Sequence, residues 1–252
     1  MMTRDSTRAT NRRGRLIAVT LAAIAGITSC SGSDERPRTR QAPTTSPSPS
    51  APPRYTAEHV RARLLTPEEV GKEIFSAPVE FLPFKSKKAP SCSLSEVKLP
   101  GDPELIFRQF ANRTRRAADE VRYAQLIARF PSPAGAAEAY TTLRQKARSC
   151  PAKQHVPPRR VRKNFTLFPH DDTWRVNEDS LMGWQHLRGL ERQVIPRNYT
   201  KYNVLHYMYD YAVRGNLLIA TAYWERTEPD GSGEPTAGRA TEILTKQLRK
   251  LG

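Results

Sequence analysis

The chain has 252 residues, with 41 Lys and Arg against 25 Asp and Glu, and a formal net charge of +16. That length holds one domain with extensions or two small ones, and no apolar run reaches the roughly 18 residues of a membrane-spanning helix. Three cysteines exclude a disulfide-built miniprotein, and a mean hydropathy of −0.64 with 8% aromatic residues fits neither a membrane bundle nor a wholly disordered chain.

Arg4, Arg8, Arg12, Arg13 and Arg15 precede an apolar run from Leu16 to Ile27 broken only by Thr20. As a helix that run rises about 18 Å, too short for a hydrocarbon core of roughly 30 Å. A basic leader, a short apolar stretch and small residues before a cleavage point describe a secretory signal. Ile27-Thr28-Ser29-Cys30 resembles the lipobox of bacterial lipoproteins, in which cleavage leaves the cysteine as a lipidated N-terminus. The expectation is therefore a signal peptide over residues 1–29 and a palmitate-bearing Cys30 on the outer face of the cell membrane. An oxidising compartment disfavours a leftover thiol. With Cys30 lipidated, Cys92 and Cys150 remain to form a disulfide.

Residues 31–56 hold six Pro and nine Ser or Thr and lack large aliphatic side chains. Such a segment buries too little surface to offset chain entropy and reads as a disordered tether over 30–56. In extended polyproline form it reaches roughly 80 Å. Residues 57–252 read as one domain, and this part alone carries +10.

Within it, Thr66-Pro67-Glu68-Glu69 is a helix start, with a capping threonine, Pro in the first turn and Glu three residues on. Val121 to Phe130 reads as a strand. Ser132-Pro133 opens a helix to Ser149 in which Ala136, Tyr140, Leu143, Ala147 and Cys150 share one face. Residues 151–173, rich in Pro and basic side chains, read as a long surface loop. Gln185 to Val194 is a further strand. Asn203 to Val213 and Leu217 to Trp224 form a hairpin about Gly215-Asn216. A final helix runs from about Ala237 to Leu251. The order predicts an α+β fold, a twisted antiparallel sheet flanked by helices in a single domain behind the tether.

Leu64–Gly71 followed by a Cys, the strand-helix unit from Val121 to a second Cys at 150, the Tyr211–Tyr223 hairpin and the closing amphipathic helix resemble the extracellular sensor-type domain of PknH-like kinases and lipoproteins. The resemblance rests on layout and spacing over most of residues 57–252. It implies a twisted antiparallel sheet with flanking helices and a cleft for an extracytoplasmic ligand. The chain departs from it in having no kinase domain attached and one possible disulfide where the kinase sensor has two. It implies no catalytic residue.

Enzymatic motifs are scarce: the sequence has no G-x-S-x-G elbow, P-loop, H-E-x-x-H or C-x-x-C pair. His170-Asp171-Asp172 has metal-ligand residue types, but adjacent residues seldom converge on one ion, and a solvated loop accounts for them. His186 and His206 fall in strands. No cofactor and no metal is expected. Arg159, Arg160, Arg162 and Lys163 form the densest basic cluster and read as a loop that contacts an anionic surface. Outside the cell nucleic acid is not the expected partner; anionic lipid or a cell-wall polymer suits that charge. Tyr207, Tyr209 and Tyr211 could line a cleft for a small-molecule or lipid ligand. The reading is a lipid-anchored, cell-surface binding or sensor module without catalysis. The rival readings are an envelope-acting hydrolase and a structural scaffold with a basic face.

Overall fold

A computed structural model describes residues 51–92, 95–113, 120–163, 165–227 and 231–252, all within one compact unit spanning 49–252. The signal peptide, Cys30 and most of the tether lie outside the described residues.

In chain order the elements begin with helices α1 (Ala57–Arg61) and α2 (Pro67–Val70), strand β1 (Ile74–Ala77) and helix α3 (Leu82–Lys85). Strands β2 (Ala89–Pro90), β3 (Glu96–Val97), β4 (Glu104–Asn112) and β5 (Val121–Arg129) lead into helix α4 (Pro133–Arg148). Then come β6 (Lys153–Val156), β7 (Arg159–Arg162), β8 (Phe165–Leu167), β9 (His170–Leu181), β10 (Trp184–Val194), β11 (Val204–Arg214), β12 (Leu217–Thr227) and helix α5 (Glu234–Leu251). Eight strands form one antiparallel sheet in the order β1-β4-β5-β12-β11-β10-β9-β6. The α+β expectation holds.

The central strands are buried on both faces, because helices cover each. Side chains alternate along a strand, so Tyr207, Tyr209 and Tyr211 meet the α4 side while His206, Met208, Asp210 and Ala212 meet the α5 side. On the α4 side, Ala136, Ala139, Tyr140, Leu143 and Ala147 pack on Leu126, Leu187 and Leu218. On the other, Ile243, Leu244, Leu248 and Leu251 cover Ile127, Ile219 and Tyr223.

The helix starts follow the sequence. Gly135 N–H donates to the Ser132 hydroxyl at 3.2 Å, and the Thr66 N–H donates to Glu69 Oε2 at 2.7 Å. α5 begins at Glu234, three residues before its expected start. The Cys92–Cys150 disulfide is present.

Three expectations are corrected. Residues 151–173 are not a loop: they form β6, β7, β8 and the start of β9. The polar strand β9 supplies β6 with a partner, Lys153 opposite Thr173, so an unpromising composition is drawn into the sheet. By the same route His170 and Asp172 are buried strand residues and not a solvated loop. Finally, Tyr55 belongs to the fold and not to the tether. It is buried, stacks on Trp184 with ring centroids 5.9 Å apart, and donates its N–H to Asn216 Oδ1 at 2.7 Å. Gly215 has φ +55°, and a Cβ there would meet the Pro53 carbonyl oxygen at 1.9 Å.

Candidate functional site

α5 runs across one face of the sheet and meets β10 through Arg188, which donates to the Ala237 carbonyl at 3.1 Å, but Arg175, Leu190 and Arg192 are left partly open beside its start. The uncovered ground is a cleft of about 320 Å³. Arg175 of β9, Leu190 and Arg192 of β10, and His206 and Met208 of β11 form its floor and wall. The Gly231–Gly233 segment, which leads into α5, closes the remaining side.

Strand register brings these groups together. Arg192 lies directly opposite His206, and Arg175 lies opposite Leu190, two places along the strand from Arg192. Direct cross-strand partners hold their Cβ atoms about 4.5–5.5 Å apart. Arg175 is exposed, Arg192 half-buried and His206 buried. Neither arginine forms an ion pair among the described residues.

His206 is held by the loop above it. Its Nε2 lies 3.2 Å from the Gly231 carbonyl oxygen, so a neutral ring protonated at Nε2 donates there and leaves Nδ1 as an acceptor. A Cβ at Gly233 would lie 2.7 Å from Nδ1, so glycine is what lets the backbone rest on the imidazole. Burial pushes His206 below the ordinary histidine pKa, with Arg192 and then Arg175 pressing it lower, while the Gly231 carbonyl and the Glu225 carboxylate oppose this. The nearby Glu225 carboxylate is already engaged by Arg239 and by the Thr236 hydroxyl at 2.9 Å. Glu191, between Leu190 and Arg192, turns to the other face, where Gln193 Nε2 donates to it at 2.7 Å. The cleft thus concentrates positive charge over a partly apolar floor.

A second polar cluster lies under α5. Asp210 is fully buried and accepts from His186 Nε2 at 2.9 Å and from Arg188 Nε at 2.6 Å. Arg188 also donates to the Thr241 hydroxyl at 2.8 Å, and His186 Nδ1 lies 2.6 Å from the exposed Asp179. Every charge there has a partner, and the cluster fastens the helix to the sheet.

The sequence-predicted residues fall elsewhere. Tyr209 and Tyr211 are fully buried, and Tyr211 donates its hydroxyl to the Pro90 carbonyl at 3.0 Å. Tyr207 stacks between Tyr209 and Trp224. These rings fill the α4-side core instead of lining an open cleft, because α3, α4 and the β2–β3 segment cover them. Arg159, Arg160 and Lys163 are exposed, on a β7–β8 hairpin and not a loop; the Arg162 side chain lies outside the described residues. His186 and His206 are strand residues as expected. Sequence reasoning missed Arg175 and Arg192. The usable signal was Arg192 and His206 on alternating strands, with Gly231-Ser232-Gly233 just before a helix.

No family model and no curated protein matches the chain. Among solved structures it is similar to the extracellular domain of PknH from Mycobacterium tuberculosis. The two share 12% identity over 79% of this chain and 100% of that one, with a TM-score of 0.50. At that identity the likeness establishes a shared fold. An uncharacterised protein from Mycobacterium smegmatis, the Rv0999 ortholog, aligns at 8% identity over 74% of this chain and 83% of that one, with a TM-score of 0.30. No helix among the described residues is long and apolar enough to cross a membrane.

Proposed function

We propose that this chain is an extracytoplasmic binding or sensor module, anchored by lipid at Cys30 and without catalysis, whose ligand site is the basic cleft. The observation that carries the reading is the cleft itself: a preformed concavity with an apolar floor and convergent polar groups, the usual anatomy of a small-ligand site. The shared fold with an extracellular domain supports the location. So does the Cys92–Cys150 bond, of a kind that persists in oxidising compartments. A hydrolase is less well supported, since the one carboxylate bordering the cleft among the described residues turns to the opposite face.

Native mass spectrometry of the full chain incubated with small molecules extracted from the cell envelope tests the binding reading. A bound mass is expected on the wild type and should be absent from Leu190→Trp, which fills the floor. No bound mass, or the same mass on both proteins, removes the cleft as the ligand site.

The anchor has its own test. Cys30→Ala is expected to move the protein from the membrane fraction to the medium or to leave an uncleaved precursor. A cleaved Cys30→Ala chain that stays on the membrane contradicts the lipidation.

A further inference from the structure

On the reading that the cleft is a ligand site, we propose that it takes a phosphate-type oxyanion, held by Arg175, Arg192 and His206 beneath the Gly231–Gly233 segment. Three strands and one loop converge there: β9 and β10 bring the two guanidinium groups, β11 brings an imidazole that can take up a proton, and the loop brings the start of α5. Arg175 and Arg192 are diagonal neighbours on adjacent strands, without an ion-pair partner among the described residues. A planar guanidinium presents paired N–H donors that match the oxygens of a phosphate, and two such forks can share one anion. The start of α5 opens beside them with no side chain capping it, which adds the positive end of an 18-residue helix.

Among the described residues, the neighbouring acids are paired or turned away from the two arginines. Glu225 faces His206 from β12 and opposes the arginines' effect on it, but its carboxylate is paired with Arg239. Glu234 in the first turn of α5 is exposed and does not line the cleft. Glu191 is directed through the sheet to the other side. From β9 and β10 only Arg175 and Arg192 face the imidazole with charge.

Size and floor narrow the ligand further. A volume of about 320 Å³ stands at the small end of ligand sites, which run from about 300 to 1,000 Å³. Leu190 and Met208 offer apolar contact next to the charged wall. A phosphate ester with a short organic group fits both. That chemistry comes either as a soluble ester or as the headgroup of a phospholipid.

His206 links binding to protonation. Burial and the two arginines lower its pKa against the Gly231 carbonyl and Glu225, so an anion seated between the arginines offsets their repulsion and favours proton uptake at Nδ1. Binding should therefore raise the imidazole pKa.

The test is calorimetric titration of the full-length chain with inorganic phosphate at low salt, with His206 followed by NMR. We expect saturable binding at one site and an upward shift in the His206 titration. Arg175→Gln and Arg192→Gln should each weaken binding about ten- to a hundredfold, the loss for hydrogen bonds to a charged group. Arg192→Lys, which keeps the charge but not the fork, should fall between. Arg175 is exposed, so its variant keeps the fold, checked by an unchanged unfolding midpoint. Competition by glycerol phosphate but not by phosphatidylglycerol vesicles assigns a soluble ester, and competition by the vesicles assigns a headgroup; both support the oxyanion site. Phosphate that does not bind, or that binds equally to the double glutamine variant, overturns it. If the envelope-derived mass is still lost in Leu190→Trp, that result removes only the oxyanion assignment.

Discussion

Asp210→Ala is expected to destabilise the fold by about 3–5 kcal/mol, the range for removing one partner from a buried ion pair. The carboxylate is the shared acceptor for His186 and Arg188, and its loss leaves Arg188 charged beneath α5 with the Thr241 hydroxyl and a helix carbonyl as its remaining partners. The pH dependence separates the two halves of this loss. Burial alone pushes the His186 pKa down, but the hydrogen bond and charge of Asp210, helped by Asp179, hold it above the ordinary value. A raised folded-state pKa means stabilisation that is fully present below the unfolded value near 6.5 and fades as pH rises through the folded value. Without Asp210 burial wins, the pKa falls, and His186 then opposes folding in acid. Urea unfolding should therefore show a larger Asp210→Ala loss at pH 5.5 than at pH 8. Equal losses at both would mean that His186 is not protonated in the fold, leaving Arg188 as the carboxylate's ionic partner.

That cluster also shows what the sequence could and could not reveal. The α5-side apolar stripe, the α4 face and the Gly215-Asn216 hairpin turn were legible, since each is a local pattern of period 3.6, period 2 or turn residues. Strand β9 was not. His170–Leu181 is full of Asp, Asn and Glu, and only pairing with β10 and β6 makes it a strand. Missing β9 hid Arg175 and with it the cleft. The tyrosines misled for a related reason. Alternating aromatic residues fit a half-exposed strand, but helices cover both faces of this sheet, so both alternating sets are buried. Asn216 was read as a turn residue alone. Its Nδ2 also donates to the carbonyls of Tyr55 at 3.2 Å and Phe130 at 3.0 Å, a long-range role that no local window contains.

Removing both structural cysteines, Cys92→Ser with Cys150→Ser, should lower stability by about 2–5 kcal/mol. The double variant is the right one, because a single change leaves a lone reactive thiol. The bond closes a loop of 58 residues, and chain-entropy reasoning for that length gives about 4 kcal/mol. Its structural effect is local as well. Residues 81–92 and 95–99 lie over the tyrosine core through Phe81, Phe84, Ala89 and Leu99, yet their own sheet, β2 with β3, has only two residue pairs. Other polar ties are the Tyr211 hydroxyl to the carbonyls of Pro90 and Ser91, at 3.0 and 3.2 Å, and the Phe81 N–H to Gln109 Oε1 at 3.0 Å. The disulfide fixes this cover to the residue just after α4, so losing it should raise hydrogen exchange in 81–99 more than in β11 or β12. Uniform acceleration would show that the bond acts on the unfolded chain alone. Two free thiols at Cys92 and Cys150 in the untreated wild type would show that it does not form. Where the bond is present, the tyrosine core stays sealed on the α4 side, which leaves the α5-side cleft beside Arg175 and His206 as the site proposed for a ligand.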